Sequence, residues 1–161
     1  MKPSQRFLDF IPFVKEAETA YKKGHYGDDA YVVTEVVKGD SGGATKWGLD
    51  SATHGPGVAK LTWPEAQQIY WDWYWCGITK GTQWVSIETL PAALGEIAFD
   101  TRINSGMSVA HRFLGMTSDP ARFLDLRDAR NRWIADTYPQ DRQFLNGWLN
   151  RTADLRKRFS L

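Results

Sequence analysis

The residues best suited to acid–base chemistry lie near the N-terminus. On a helical wheel of ~100° per residue starting at Phe7, the side chains of Ile11, Val14, Ala17 and Tyr21 fall within roughly 80° of the origin and form one apolar stripe. Glu18 falls at ~20°, inside that stripe, whereas Glu16 falls at ~180°, on the opposite face. Two neighbouring glutamates are thus expected in opposite environments. A carboxyl set against a core face loses hydration, which favours its proton-bearing form. Glycoside hydrolysis uses such a carboxyl to protonate the leaving oxygen. The structural alternative is that Glu18 reaches to water or pairs with an arginine.

A second group follows. Asp40 sits in the turn cluster KGDSGG (38–43), Thr45 lies five residues later, and Glu35 precedes both. A second carboxylate facing the acid across a cleft is the arrangement glycosidases use. Asp40 would position or activate water, Thr45 would hold that water by its hydroxyl, and Glu35 is the rival for the role. Asp beside Gly is equally ordinary turn chemistry. Trp47 is the aromatic expected nearest a sugar ring, with core packing as the alternative. Asn104, just before Ser105-Gly106, is suited either to bonding an acetamido group or to capping a helix end.

Other chemistries are weaker. GDSGG (39–43) matches the string around the nucleophile of chymotrypsin-like proteases, but a chain this short and helical has no room for two β-barrels, and no histidine here has a supporting context. His25, His54 and His111 are scattered without a ligand-pair spacing, and the single Cys76 reads as a small buried hydrophobe. No metal and no cofactor is expected.

Several elements must position these residues. The first is helical. Pro12 suits the first turn of a helix stopping at Gly24, or else kinks one that begins earlier. AYVVTEVV (30–37) reads as a strand, KGDSGG as a turn and ATKWGL (44–49) as the returning strand of a β-hairpin, followed by a loop over 51–57. Thr62 with Glu65 forms a capping box ahead of the helix PEAQQIYWDWYW. A largely buried helix is expected over 90–106, ending at Gly106, a short one over 107–115, a long amphipathic one over 119–139, and a last one to the C-terminus with Gly147 as its weak point. The expected class is mainly α (α+β): a helical bundle with a small N-terminal β-hairpin flanking a substrate cleft.

Length and composition agree with this. A chain of 161 residues predicts one domain, 1–161, here with an N-terminal lobe over 1–89 and a helical C-terminal lobe over 90–161. Lys plus Arg (20) nearly balances Asp plus Glu (19), which argues against a dedicated nucleic-acid binder. No run approaches the roughly 20 apolar residues of a membrane span, and the start MKPSQRFLDF lacks the apolar region of a signal peptide. A monomer kept in the cytoplasm of the producing cell until release is expected. Trp, Tyr and Phe make up 14% of the chain, enough for both an aromatic core and aromatic faces that meet sugars.

The order of motifs resembles the glycoside hydrolase family 108 muramidases, lysozyme-like enzymes of phages and bacteria. Glu18-Thr19-Ala20-Tyr21 matches the ends of the family's E-G-G-Y. Asp40, Gly42, Gly43, Thr45 and Gly48 match D-P-G-G-x-T-x-x-G-I, and LTWPEAQQIYWDWYW (61–75) matches L-x-x-x-x-A-x-x-I-Y followed by Y-W. LPAALGEIAFDTRINSG (90–106) and FLNGWLNRTADL (144–155) resemble the later L-P…F-D-x-A-V-N-x-G and G-W-L-N-R segments, the latter from the peptidoglycan-binding portion. The resemblance implies a lysozyme-like fold and cleavage of peptidoglycan glycan strands between N-acetylmuramic acid and N-acetylglucosamine. It implies Glu18 as the acid, with Asp40 and Thr45 completing a Glu–Asp–Thr set. An insertion over approximately 22–36 separates Glu18 from Asp40 and keeps Glu35 open as the acid.

Overall fold

The computed structural model describes residues 2–19, 32–33, 44–79 and 82–161, so Glu35, Asp40, Gly24 and most of the expected first hairpin lie outside the described residues. The chain forms two compact units, Met1–Asp72 and Trp73–Leu161, which divide within the aromatic helix rather than at the 89/90 boundary expected from sequence.

In the first unit, helix α1 (Gln5–Thr19) starts where the Ser4 hydroxyl oxygen accepts the Phe7 N–H at 3.2 Å. Pro12 lies inside α1 and not in its first turn. The ring deprives the Leu8 carbonyl of its partner, but Leu8 and Pro12 are both exposed, so water can serve the carbonyl. Of the expected stripe, Phe7, Ile11 and Val14 are buried, Ala17 is half-buried and Tyr21 lies outside the described residues; Phe10 joins the buried face. The Phe7 ring meets Trp71 edge-on at 5.2 Å. Glu16 is exposed and Glu18 half-buried, as the wheel predicts.

Strands β1 (Val32–Val33), β2 (Thr45–Lys46) and β3 (Leu49–Asp50) form an antiparallel meander, with Val33 opposite Thr45 and Thr45 opposite Asp50. The expected single strand over 44–49 is therefore split. Trp47 and Gly48 turn the chain back with φ of 56° and 76°. Positive φ at both central residues is what a type I′ hairpin turn requires, and its twist matches that of the strands. The expected loop over 51–57 instead holds α2 (Ser51–His54), capped by Asp50, whose Oδ1 accepts the Thr53 N–H at 2.8 Å. A 3₁₀ turn, Pro56–Lys60, follows. Helix α3 (Trp63–Ile69) starts at the expected capping pair, the Thr62 N–H donating to Glu65 Oε2 at 2.7 Å. It continues as a wider π-helical turn, Tyr70–Trp75.

The second unit opens with the two-stranded antiparallel sheet of β4 (Ile78–Thr79) and β5 (Thr82–Gln83). Helices α4 (Leu94–Ser105), α5 (Met107–Leu114), α6 (Pro120–Thr137) and α7 (Leu145–Phe159) follow, the last led by a 3₁₀ turn over Pro139–Phe144. Every residue from Leu94 to Arg102 is buried, as expected for that helix, and α4 ends at Gly106. Helix α7 runs unbroken through Gly147. The mainly α class holds, with two small antiparallel sheets where one hairpin was expected.

Asp100, on α4, is fully buried and holds two guanidiniums: Arg127 of α6 at 2.6 Å and Arg151 of α7 at 2.7 Å. Three helices meet at one carboxylate. Burial pushes the Asp100 carboxyl up, but Arg151 and Arg127 together outweigh it and hold it below its ordinary value. Arg102, also on α4, donates to the backbone carbonyls of Tyr74 and Val85. Burial lowers its guanidinium to about 10, so it remains charged at neutral pH.

A carboxyl held below its unfolded value adds stability above that value and loses it as pH falls through the folded one. Acid unfolding is therefore expected below the ordinary Asp range. Asp100→Asn strands two buried arginines and is expected to cost about 3–5 kcal/mol. It should also flatten the acid limb of stability. Urea denaturation of both proteins across pH measures each effect.

Candidate active site

Glu18 lies in the last turn of α1, and the hairpin turn between β2 and β3 closes directly against it. A Cβ placed on Gly48 would sit 2.7 Å from Glu18 Oε2, 2.8 Å from Glu18 Cγ and 2.9 Å from the Tyr70 hydroxyl oxygen. Those distances are shorter than any side-chain carbon can keep. The bare α-carbon of Gly48 is thus the surface on which the carboxyl rests, and its φ of 76° independently favours glycine.

The turn is anchored from three sides. The Tyr70 hydroxyl, at the start of the π-helical turn, donates to the Trp47 carbonyl at 2.6 Å and is buried. The Trp47 indole N–H donates to the Leu61 carbonyl at 3.0 Å. The Trp47 ring lies 5.5 Å from the Trp63 ring, and the Lys15 ammonium stands over both, 5.4 Å from Trp47 and 4.7 Å from Trp63. A bulky residue at positive φ is rare and costs energy. Here the two hydrogen bonds and the ring contacts hold it. Such residues cluster at sites where geometry matters.

The sequence-predicted residues separate as follows. Glu18 and the hairpin bearing Thr45 are brought together through the turn. Thr45 is half-buried on β2, two residues before Trp47. Trp47 is 4% exposed, so its ring is core and not an open platform for a sugar. Its indole N–H and ring faces are used to hold the turn. Asn104 belongs to the second unit, where its Oδ1 accepts from Arg127 at 3.1 Å beside the Asp100 cluster. Asp40 and Glu35 lie outside the described residues. Among the described residues, no group of three His, Cys, Asp or Glu side chains is placed to hold a metal ion.

Tyr70 and Lys15 were not singled out from sequence. Tyr70 stood in a run of aromatics with no mark to separate it from its neighbours. Lys15 lies three residues before Glu18, hence on the same helix face, a spacing that could have drawn notice. Nearby, the Thr62 backbone N–H and hydroxyl hold the Glu65 carboxyl below the usual range. Burial pushes the His54 imidazole below its ordinary value, against a weaker pull from the Asp50 carbonyl and carboxylate.

No family model matches the chain, and neither the curated proteins nor the solved structures contain a match to it.

Gly48→Ala must displace the carboxyl or the tyrosine. It should leave the fold standing at a cost of about 1 kcal/mol for the left-handed backbone. If Glu18 is the reacting group, a displacement of ~1 Å is expected to lower turnover by roughly 100-fold. Circular dichroism with an activity assay separates the two effects.

Proposed function

We propose that the protein is a peptidoglycan muramidase of lysozyme-like fold, hydrolysing the β-1,4 bond between N-acetylmuramic acid and N-acetylglucosamine with Glu18 as general acid. The observation that carries this reading is the half-buried Glu18 carboxyl at the end of a helix, set against the turn of an antiparallel hairpin. The ordered resemblance of the motifs to family 108 supports it.

In this mechanism Glu18 donates its proton to the glycosidic oxygen as the bond breaks, through an oxocarbenium-like transition state. In this reading Thr45, on the hairpin strand that leads to the Trp47–Gly48 turn, would hold by its hydroxyl the water that Asp40 positions or activates. Gly48 permits the carboxyl to approach the hairpin backbone, and the Tyr70 and Leu61 bonds stop the turn from drifting. Fixed geometry of this kind is what converts a carboxyl into an efficient proton donor. The substrate is the glycan strand of the cell wall, and the enzyme would stay in the cytoplasm of its producer until release.

Release of reducing ends from purified peptidoglycan tests the reading. Glu18→Gln is expected to lower the rate by about 10²–10⁴-fold with an unchanged circular dichroism spectrum, and Glu35→Gln to leave it within a few-fold. Loss on Glu35→Gln alone would move the acid to that residue. Products ending in 1,6-anhydro sugar would make the protein a lytic transglycosylase. Wall binding without cleavage would make it a binding module.

A further inference from the structure

We propose that the side of the second unit carrying Arg112 of α5 with Arg127, Arg130 and Asn131 of α6 is a binding site for a phosphate group. The inference goes beyond the muramidase reading and does not depend on it.

Arg127, Arg130 and Asn131 are three and four residues apart on α6, hence neighbours on one side of the helix. Arg127 and Asn131 are buried and Arg130 is half-buried. Helix α5 packs alongside, its Phe113 ring meeting Phe123 of α6 edge-on at 5.4 Å. Arg112 is exposed, with its guanidinium 5.6 Å from the Phe113 ring.

Two observations set this side apart. The first is charge without counter-charge. Arg127 and Arg151 share Asp100, and Arg156 holds Asp125 and Asp128. Among the described residues, Arg112 and Arg130 have neither an ion pair nor a hydrogen bond. Burial pushes the Arg130 guanidinium below its ordinary value, and the positive charges of Arg112 and Arg127 push it the same way, with no carboxylate opposing them. The second is donors without acceptors. Arg127 commits Nη1 to Asp100 and Thr101 and Nη2 to Asn104. Its buried Nε–H has no acceptor among the described residues, and neither does the Asn131 Nδ2 amide.

A buried donor left unpaired is costly, and so is a half-buried cation beside two others. An oxyanion answers both, since it brings negative charge and several acceptor oxygens. Guanidiniums present paired N–H groups that match two oxygens of a phosphate. Charge selects phosphate over carboxylate. Across the cluster the guanidiniums of Arg112, Arg127, Arg130 and Arg151 stand against the one carboxylate of Asp100, and the Asp128 carboxylate, which also acts on Arg127, is matched by Arg156. A surplus of that size suits a dianion. The exposure of Arg112 leaves room for the phosphate to be carried by a larger molecule.

The test is titration of the whole protein with sodium phosphate, with sodium chloride of matched ionic strength as the control. It is followed by the ¹H–¹⁵N resonances of arginine Nε–H and asparagine Nδ2 groups. The Arg127 and Asn131 resonances are expected to shift together and saturate in phosphate at one dissociation constant, and to stay in place in chloride. Arg130→Gln should weaken binding about 10-fold or more, the effect of one charge-assisted hydrogen bond. Arg112→Gln, at an exposed position, should weaken it by a smaller factor and serves if Arg130→Gln does not fold. Glycerol 3-phosphate binding as tightly as the free ion upholds the site as one for a phosphate on a larger molecule, and weaker binding upholds it as one for inorganic phosphate. Shifts that chloride reproduces, shifts that never saturate, or affinity unchanged in both variants would overturn the inference and leave internal water beneath solvated arginines. Acetate binding as tightly as phosphate would overturn the choice of phosphate.

Discussion

One bare α-carbon constrains the first unit. Gly48 lets a helix end, a hairpin turn and a tyrosine converge to distances that any side chain would forbid. Helix α1 must arrive with Glu18 on its inner face, the turn must be of the type with positive φ at both residues, and the aromatic helix must deliver a hydroxyl to the Trp47 carbonyl. Each condition has its own support. The buried stripe of α1 sets the rotation of the helix, the positive φ at Trp47 is held by hydrogen bonds and ring contacts, and the capping pair at Thr62 and Glu65 fixes where α3 begins.

The second unit is organised by the opposite device. Its centre is a charge and not a void. Asp100, buried and bound by Arg127 and Arg151, joins three helices, and Arg156 and Thr152 of α7 add further bonds to Asp125 and Asp128 of α6. Apolar packing tolerates sliding of one helix past another, whereas a carboxylate with two guanidiniums has few acceptable geometries. Arg102 adds a second fixed point by binding the carbonyls of Tyr74 and Val85. A buried ionic cluster is a weak source of net stability, so its clearest physical contribution is to register.

Much of this was legible in local patterns. Period and composition located the stripe through Phe7, Ile11 and Val14, the contrast between Glu16 and Glu18, the capping pair ahead of α3, and the buried helix ending at Gly106. The misreadings share a cause. Trp47 looked like a platform for sugar because an aromatic beside a polar hairpin residue is ambiguous until its neighbours in space are known. The loop over 51–57 hid a helical turn because its cap, Asp50, also reads as the end of a strand. Pro12 left two readings open, a helix start or a proline within a longer helix, because the exposure that lets the freed Leu8 carbonyl reach water is not written in the local sequence.

The sequence by itself determined the helical class, the placement of Glu18 on an inner face and the glycine at position 48, because each follows from period or from the steric freedom of one residue. Only the tertiary structure decided that Gly48 lies under Glu18, that Tyr70 binds the turn and that Asn104 serves Arg127. Those pairings join residues more than 20 positions apart. Contacts of that range are set by how whole elements pack, and no local pattern of residue types encodes the distance between two oxygens on neighbouring elements.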